Sequence, residues 1–290
     1  MSERQACRAL DDIGMSAHNL HEMKRLIRMP HGLVLCVGPT GSGKTTTLHS
    51  ALGYINSEDV KILTAEDPVE ITQSGLRQLQ INPKAGITFA SALRSFLRAD
   101  PDVIMIGEMR DRETASIAVE ASMTGHLVLS TLHTNSAPET VVRLLDLGLD
   151  PYSFADALLG VLAQRLVRRL CPDCRRAAPT GAPALEVLRQ EYGTDSIFDA
   201  FGFLPESVQW LAAERGCDRC HSSGYQGRMA IHELLSCTDR IREMIYRRAA
   251  ATEIRRAARD EGMRTLKQDG IEKALAGQTT MEEVRAACSR

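Results

Sequence analysis

The segment GPTGSGKT at residues 38–45 constrains this chain more than any other. It matches the phosphate-loop pattern G-x-x-x-x-G-K-[ST], and the apolar run LVLCV (33–37) leads straight into it. A buried strand, a glycine-rich turn and a helix, in that order, are what the pattern needs. Gly38, Gly41 and Gly43 let the backbone curve so that successive N–H groups face one anion. A helix starting near Lys44 adds the positive end of its dipole. Lys44 is then expected to reach the β- and γ-phosphates, and the Thr45 hydroxyl to ligate Mg2+, with Pro39, Thr40, Ser42 and Thr46 completing the cradle. ATP and Mg2+ are the expected ligands.

Three further apolar runs, VKILT (60–64), VIMI (103–106) and LVLSTL (127–132), alternate with helical patterns at 44–55, 89–98 and 112–123. That alternation predicts an α/β fold with a mostly parallel sheet. Another helix is expected at 17–29, stopped by Pro30-His31-Gly32, and two more at 137–147 and 152–170. Past Cys171 the texture changes. Residues 175–185 read as a loop, 196–213 carry Phe198, Phe201, Phe203 and Trp210, and helix-rich sequence is expected from GYQGR to the end. Four regions result: a linker at 1–31, a nucleotide-binding core at 32–170, a cysteine module at 171–228 and a helical region at 229–290.

Hydrolysis needs a group that orients or deprotonates water and a second acid for the metal shell. Two carboxylate clusters are placed for this, Glu66-Asp67-Pro68-Val69-Glu70 after one strand and Glu108 after another. Open α/β sheets bind ligands at such strand ends. In Glu108's run Gly107 stands where a generic Walker B motif has Asp, so Glu108 is expected on the metal side. His126 opens the strand LVLSTL and His133 closes it, and either could carry a polar sensor to the phosphates.

Net charge is −2, which argues against a nucleic-acid-binding field. No apolar run approaches the ~20 residues that span a bilayer, and the polar N-terminus lacks a signal-peptide core. A cytoplasmic chain that docks at a membrane only through a partner is expected. Of 8 cysteines, Cys171/Cys174 and Cys217/Cys220 form two C-x-x-C pairs. In a cytosolic chain these read as metal ligands before disulfides, and four thiolates favour a closed structural zinc site.

The ordered set GPTGSGKTTT, TAEDPVE, ADPDVIMIGEMRD and TGHLVLSTLHTN closely resembles the secretion ATPase superfamily, which powers type II secretion and type IV pilus machines. Those strings match its Walker A, Asp, Walker B and His boxes, and a Gly before the Walker B Glu is its pattern. The resemblance implies a RecA-like P-loop core with a small zinc-binding module and C-terminal helices. It implies that Glu70 is the catalytic base, that Glu108 supports Mg2+ and that His133 senses the γ-phosphate. Glu66 and His126 are supporting members, and Arg94 and Arg98 match arginines near the phosphates or a subunit interface. The helix end LVRRL running into CPDC, with GCDRC later, resembles the tetracysteine zinc module of assembly-type members, which retraction motors generally lack. A homo-hexamer and an inner-membrane docking or platform partner are implied. Pilus assembly and type II secretion are not separated, with a slight lean to the former.

The family carries a domain before the motor, whereas LVLCV begins here at residue 33. The chain is therefore expected to be the C-terminal motor portion, either as a fragment or as a natural short form, and slow in isolation. Two rivals stay open, a non-hydrolysing scaffold that docks through its zinc module and a DNA-handling motor.

Overall fold

The computed structural model describes residues 8–179, 182–193, 208–211 and 215–289. Phe198, Phe201 and Phe203 lie outside these. Two compact units divide the chain, Met1–Gln164 with Glu233–Met263, and Arg165–His232 with Arg264–Arg290. The divisions fall at 164, 232 and 263 rather than at the sequence-based 170 and 228, so the C-terminal helices are apportioned between both units.

The first unit is built on parallel strands β1 (Gly32–Val37), β2 (Ile62–Glu66), β3 (Leu76–Gln80), β4 (Val103–Ile106) and β5 (Leu127–Leu132). With β6 (Leu158–Leu170) and β9 (Tyr225–Ser236) they form one seven-stranded sheet, ordered β3-β2-β4-β5-β1-β6-β9. Every residue of β1, β2, β4 and β5 is buried, as expected of runs covered on both faces. Helices α1 (Ala17–Leu26), α2 (Lys44–Ile55), α3 (Phe89–Leu97), α4 (Arg112–Met123), α5 (Ala137–Asp146) and α6 (Pro151–Ala157) join them. Side chains of Ser16, Thr88, Asp111, Ser136 and Asp150 cap five of these helices by accepting from a first-turn amide.

One core runs through Met23 and Leu26 of α1, Val34 of β1, Leu48 and Leu52 of α2, Ile62 of β2, Met105 of β4 and Leu129 of β5. Each fully buried Leu, Ile or Val contributes roughly 1.5–3 kcal/mol. The register is decisive for the site. Val37 pairs with Leu132, Ile106 with Ser130 and Ala65 with Ile106, so residues 38, 67, 107 and 133 all leave the sheet at one edge.

Two expectations need correction, and one strand was not foreseen. Residues 152–170 do not form one helix: α6 ends at Ala157 and the rest is β6, parallel to β1 with Val34 opposite Gly160. A Cβ at Gly160 would lie 2.9 Å from the Leu235 carbonyl oxygen, so this run is held as strand by close approach to its neighbours. LRQLQ forms β3 with side chains that are half-buried or exposed, too weak a pattern to stand out. Tyr225–Ser236 is a strand, and helices resume only with α8 (Asp239–Tyr246) and α9 (Ala251–Asp260).

In the second unit β7 (Arg176–Pro179) and β8 (Val208–Leu211) pair antiparallel. Leu188 and Tyr192 of α7 (Ala182–Tyr192) pack with Ile271 and Ala274 of α10 (Leu266–Leu275) and Met281 and Val284 of α11 (Met281–Cys288). The Tyr192 hydroxyl donates to Glu272 at 2.5 Å, and Gln268 Nε2 donates to the Tyr192 carbonyl at 3.0 Å. Lys273 is buried beside them, donating to Asp269 at 2.6 Å and to the Ala230 carbonyl at 2.8 Å.

His232 is fully buried and neither ring nitrogen has a hydrogen-bond partner. Burial, helped by the Lys273 charge, holds its pKa well below the ordinary 6.5. An unfolded chain takes up a proton at His232 below pH ~6.5 that the native chain refuses. Stability from this group is therefore complete above that pH and falls by about 1.4 kcal/mol per unit of acidification. Thermal melts from pH 7 to pH 5 should show that slope in the wild type and a shallower one in His232→Phe.

Candidate functional site

The loop between β1 and α2 is shaped by close contacts. Gly38 has φ 151°, and a Cβ there would lie 2.3 Å from the Gln164 carbonyl oxygen and 2.8 Å from Ser42 Oγ. No other residue fits. The Gly38 amide donates to the Leu132 carbonyl at 3.2 Å, tying the loop to the end of β5. Gly43 takes a left-handed conformation as N-cap of α2 and supplies no side-chain cap. The first-turn amides of α2 thus face the loop's hollow, which suits an anion.

Gln164, buried in β6, clamps this loop from below. Its Nε2 donates to the Ser42 carbonyl at 2.7 Å, and its Oε1 accepts from the Thr47 hydroxyl at 2.7 Å. One amide so joins the loop to the first turns of α2. Sequence inspection missed it because its partners lie more than a hundred residues away.

Lys44 is only 8% exposed. Its ammonium donates to the Gly38 carbonyl at 2.8 Å and the Pro39 carbonyl at 3.0 Å. Burial lowers its pKa, against the raising influence of the nearby Glu108 carboxylate. Cys36, wholly buried in β1, is itself pushed up to about 12 and stays a thiol. Lys44 is therefore a partly desolvated cation resting on carbonyls, poised for a stronger acceptor.

Glu108 faces the same place. It is ion-paired with Arg110, and His133 Nε2 is 3.4 Å from its Oε2. The turn that carries it is fixed by the Gly107 amide donating to Ala65 at 2.8 Å and the Thr131 hydroxyl donating to the Gly107 carbonyl at 2.6 Å. A Cβ at Gly107 would come within 3.2 Å of the Ala65 carbonyl and 3.5 Å of the Phe89 ring, so an Asp at this position would be crowded. His133 is half exposed and Arg110 more so, leaving both free to swing. Arg110, like Gln164, went unnoticed in the sequence.

Other expected members stand elsewhere. Glu66 is 3% exposed, and its oxygens accept from Thr64 at 2.6 Å, Gln78 at 2.9 Å and His49 at 3.0 Å. Burial alone would raise Glu66 and lower His49; their shared hydrogen bond reverses both, leaving Glu66 below and His49 above the ordinary values. The carboxylate is committed to the fold. Glu70 is exposed in the segment after β2, near enough for its charge to act on His49. His126 is at the opposite end of β5 from His133. Its neighbour across the sheet is the start of β1, and its Nδ1 bonds the Ala121 carbonyl at 3.0 Å. Arg94 pairs with Glu113 on the outside of α3 and α4, and Arg98 is exposed at the far end of α3. The structure does not bring His126, Arg94 or Arg98 to the phosphate loop.

In the second unit the four cysteines meet. Cys171 and Cys217 sulfurs are 3.7 Å apart, Cys174 and Cys220 3.8 Å, and Cys217 and Cys220 3.8 Å. All four lie within 4.8 Å of one another, a closed set that can hold one metal ion. The Cys217 amide, with that of Gly224, draws the Cys220 thiol down to about 6 against the effect of burial. Burial pushes Cys174 up to about 12, and its thiol neighbours add to this. Such crowding of ionisable sulfurs is relieved by a dication. Arg219 donates to both oxygens of Asp173, at 2.9 and 3.0 Å, linking the two knuckles.

Gln164→Leu keeps side-chain bulk but leaves the Ser42 carbonyl and Thr47 hydroxyl without their partner. Each such loss costs about 1–3 kcal/mol. The variant should melt lower and bind ATP at least about tenfold more weakly in equilibrium titration, whereas Arg98→Ala should leave binding unchanged.

The family described as Type II/IV secretion system protein matches residues 1–286. The chain is 48% identical over 275 residues to type II secretion system protein E of Aeromonas hydrophila, covering 95% of this chain and 52% of that protein. It is 47% identical over 279 residues to the type IV pilus assembly ATPase PilB of Thermus thermophilus, covering 96% of this chain and 30% of that one. The crystal structure of the pilus retraction motor PilT with bound ADP superposes with a TM-score of 0.71 at 27% identity, over 98% of this chain and 68% of PilT. The chain thus spans about half the length, or less, of the curated relatives it matches. With a phosphate loop, an acidic strand end and a cysteine centre all set out as described, the chain belongs to the type II/IV secretion system protein family.

Proposed function

We propose that this chain is the ATP-hydrolysing motor portion of a machine that assembles type IV pilins or the pseudopilins of type II secretion. The observation that carries the proposal is the convergence of Lys44, Glu108 and His133 at one edge of the parallel sheet. An anion entering the loop offers Lys44 better acceptors than the Gly38 and Pro39 carbonyls, so the ammonium transfers to the β- and γ-phosphates. Thr45 and Glu108 would hold Mg2+, which supplies charge neutralisation at the phosphates. To hold the metal Glu108 would give up its pairing with Arg110, and His133, 3.4 Å from Glu108, would sense the γ-phosphate. Glu70, exposed in the segment that follows β2, would orient and deprotonate the attacking water.

Relatives named for type II secretion and for pilus assembly match at 48% and 47% identity, so the shared motor is the level at which the function is proposed. The crystal structure of PilT holds ADP, which supports the nucleotide. Work on a membrane machine would go through a homo-hexamer docked to a cytoplasmic face of the inner membrane. Among the described residues no helix is long and apolar enough to cross a membrane.

The cysteine centre is proposed to hold zinc. Tetrahedral Zn–S bonds of about 2.3 Å place sulfurs about 3.8 Å apart, matching the 3.7 and 3.8 Å separations here. Four protein ligands leave no open position, so the role is structural.

Glu70→Gln should bind ATP as tightly as the wild type and lose turnover by roughly a hundredfold or more. Lys44→Ala should lose binding itself. Normal hydrolysis by Glu70→Gln would remove Glu70 from the mechanism. Metal analysis should find one zinc per chain, absent from Cys171→Ser, and chelation should lower the melting temperature of the wild type alone.

A further inference from the structure

His49 is wholly buried one turn into α2, and nothing in the phosphate-loop chemistry calls for it. Its Nε2 bonds Glu66 Oε2 at 3.0 Å, and its Nδ1 faces the Gln73 amide at 3.1 Å. With the amide nitrogen turned to the ring, Gln73 donates to Nδ1 at 3.1 Å and to the His49 carbonyl at 3.3 Å, and accepts from the Gly53 amide at 3.1 Å. That orientation satisfies more groups and makes Nε2 the carrier of the ring proton that Glu66 accepts.

Glu66 in turn accepts from Gln78 Nε2 at 2.9 Å, and the same nitrogen donates to the Ile71 carbonyl at 2.8 Å. Gln78 Oε1 accepts from the Gln73 backbone N–H at 2.9 Å. These bonds close a ring around the segment that carries Glu70. Ile71 and Gln73 are pinned on its C-terminal side, Glu66 on its N-terminal side, and both anchors run to one imidazole on α2. The segment itself is largely exposed at Asp67, Pro68 and Glu70, so without the pins little apolar burial would fix it.

We propose that His49, acting through Glu66, Gln73 and Gln78, is a positioning residue that binds the Glu70-bearing segment to the helix that begins at the phosphate loop. The carboxylate and the phosphate cradle are thereby held as one body, although their residues come from different strands. The effect on turnover rests on the ATPase function proposed above; the effect on the 67–75 segment does not.

The test uses the full chain with His49→Ala and His49→Gln. Hydrogen exchange in the absence of nucleotide should show amides of residues 67–75, Gln73 above all, exchanging at least about tenfold faster in His49→Ala, with β1 and β5 unchanged. ATP affinity and KM should stay within about threefold while kcat falls at least about tenfold. His49→Gln retains a donor for Glu66 and should recover much of both. Unchanged exchange at 67–75, or faster exchange throughout the unit, overturns the proposal, as does a loss confined to ATP affinity. If the wild type hydrolyses no ATP, the motor proposal falls while the exchange measurement still decides this one.

Discussion

The phosphate-loop edge of this molecule is organised around a cation that the fold has partly dehydrated. Lys44 rests on two backbone carbonyls, where burial lowers its pKa and Glu108 partly restores it. Neutral carbonyls solvate an ammonium less well than phosphate oxygens do, so the resting loop is matched to an incoming polyanion. The loop can wait in that form only because it is braced elsewhere: by Leu132 through Gly38, and by the Gln164 amide through Ser42 and Thr47.

A parallel sheet does the rest of the gathering. Because β1, β2, β4 and β5 run the same way in a fixed register, each strand delivers its following residue to one edge. Gly38, Asp67, Gly107 and His133 arrive there without any local sequence relation. The histidines at the two ends of β5 illustrate the consequence. Six strand residues separate them, so only His133 reaches the acidic cluster, while His126 closes a turn at the other edge.

What the sequence discloses follows the range of the interactions. The phosphate loop and the paired cysteines are legible because their spacing is local, and β1, β4 and β5 because buried parallel strands are unbroken apolar runs. β6 and β9 are hidden: their residues have helical character in isolation and become strands through pairing with distant neighbours. Glu66 misleads for a similar reason. It sits in an acidic box yet its oxygens are taken by Thr64, Gln78 and His49, a set assembled from three elements. Gln164 and Arg110 belong to no spacing pattern, and only the folded register shows what they touch.

The central claim is that Lys44 is held in reserve for phosphate, and a structure of this chain with Mg2+ and a non-hydrolysable ATP analogue tests it directly. The ammonium should have left the Gly38 and Pro39 carbonyls and lie about 3 Å from β- and γ-phosphate oxygens, with Glu108 turned from Arg110 toward the metal. An analogue bound while Lys44 still rests on those carbonyls, or bound away from the loop, would contradict the account.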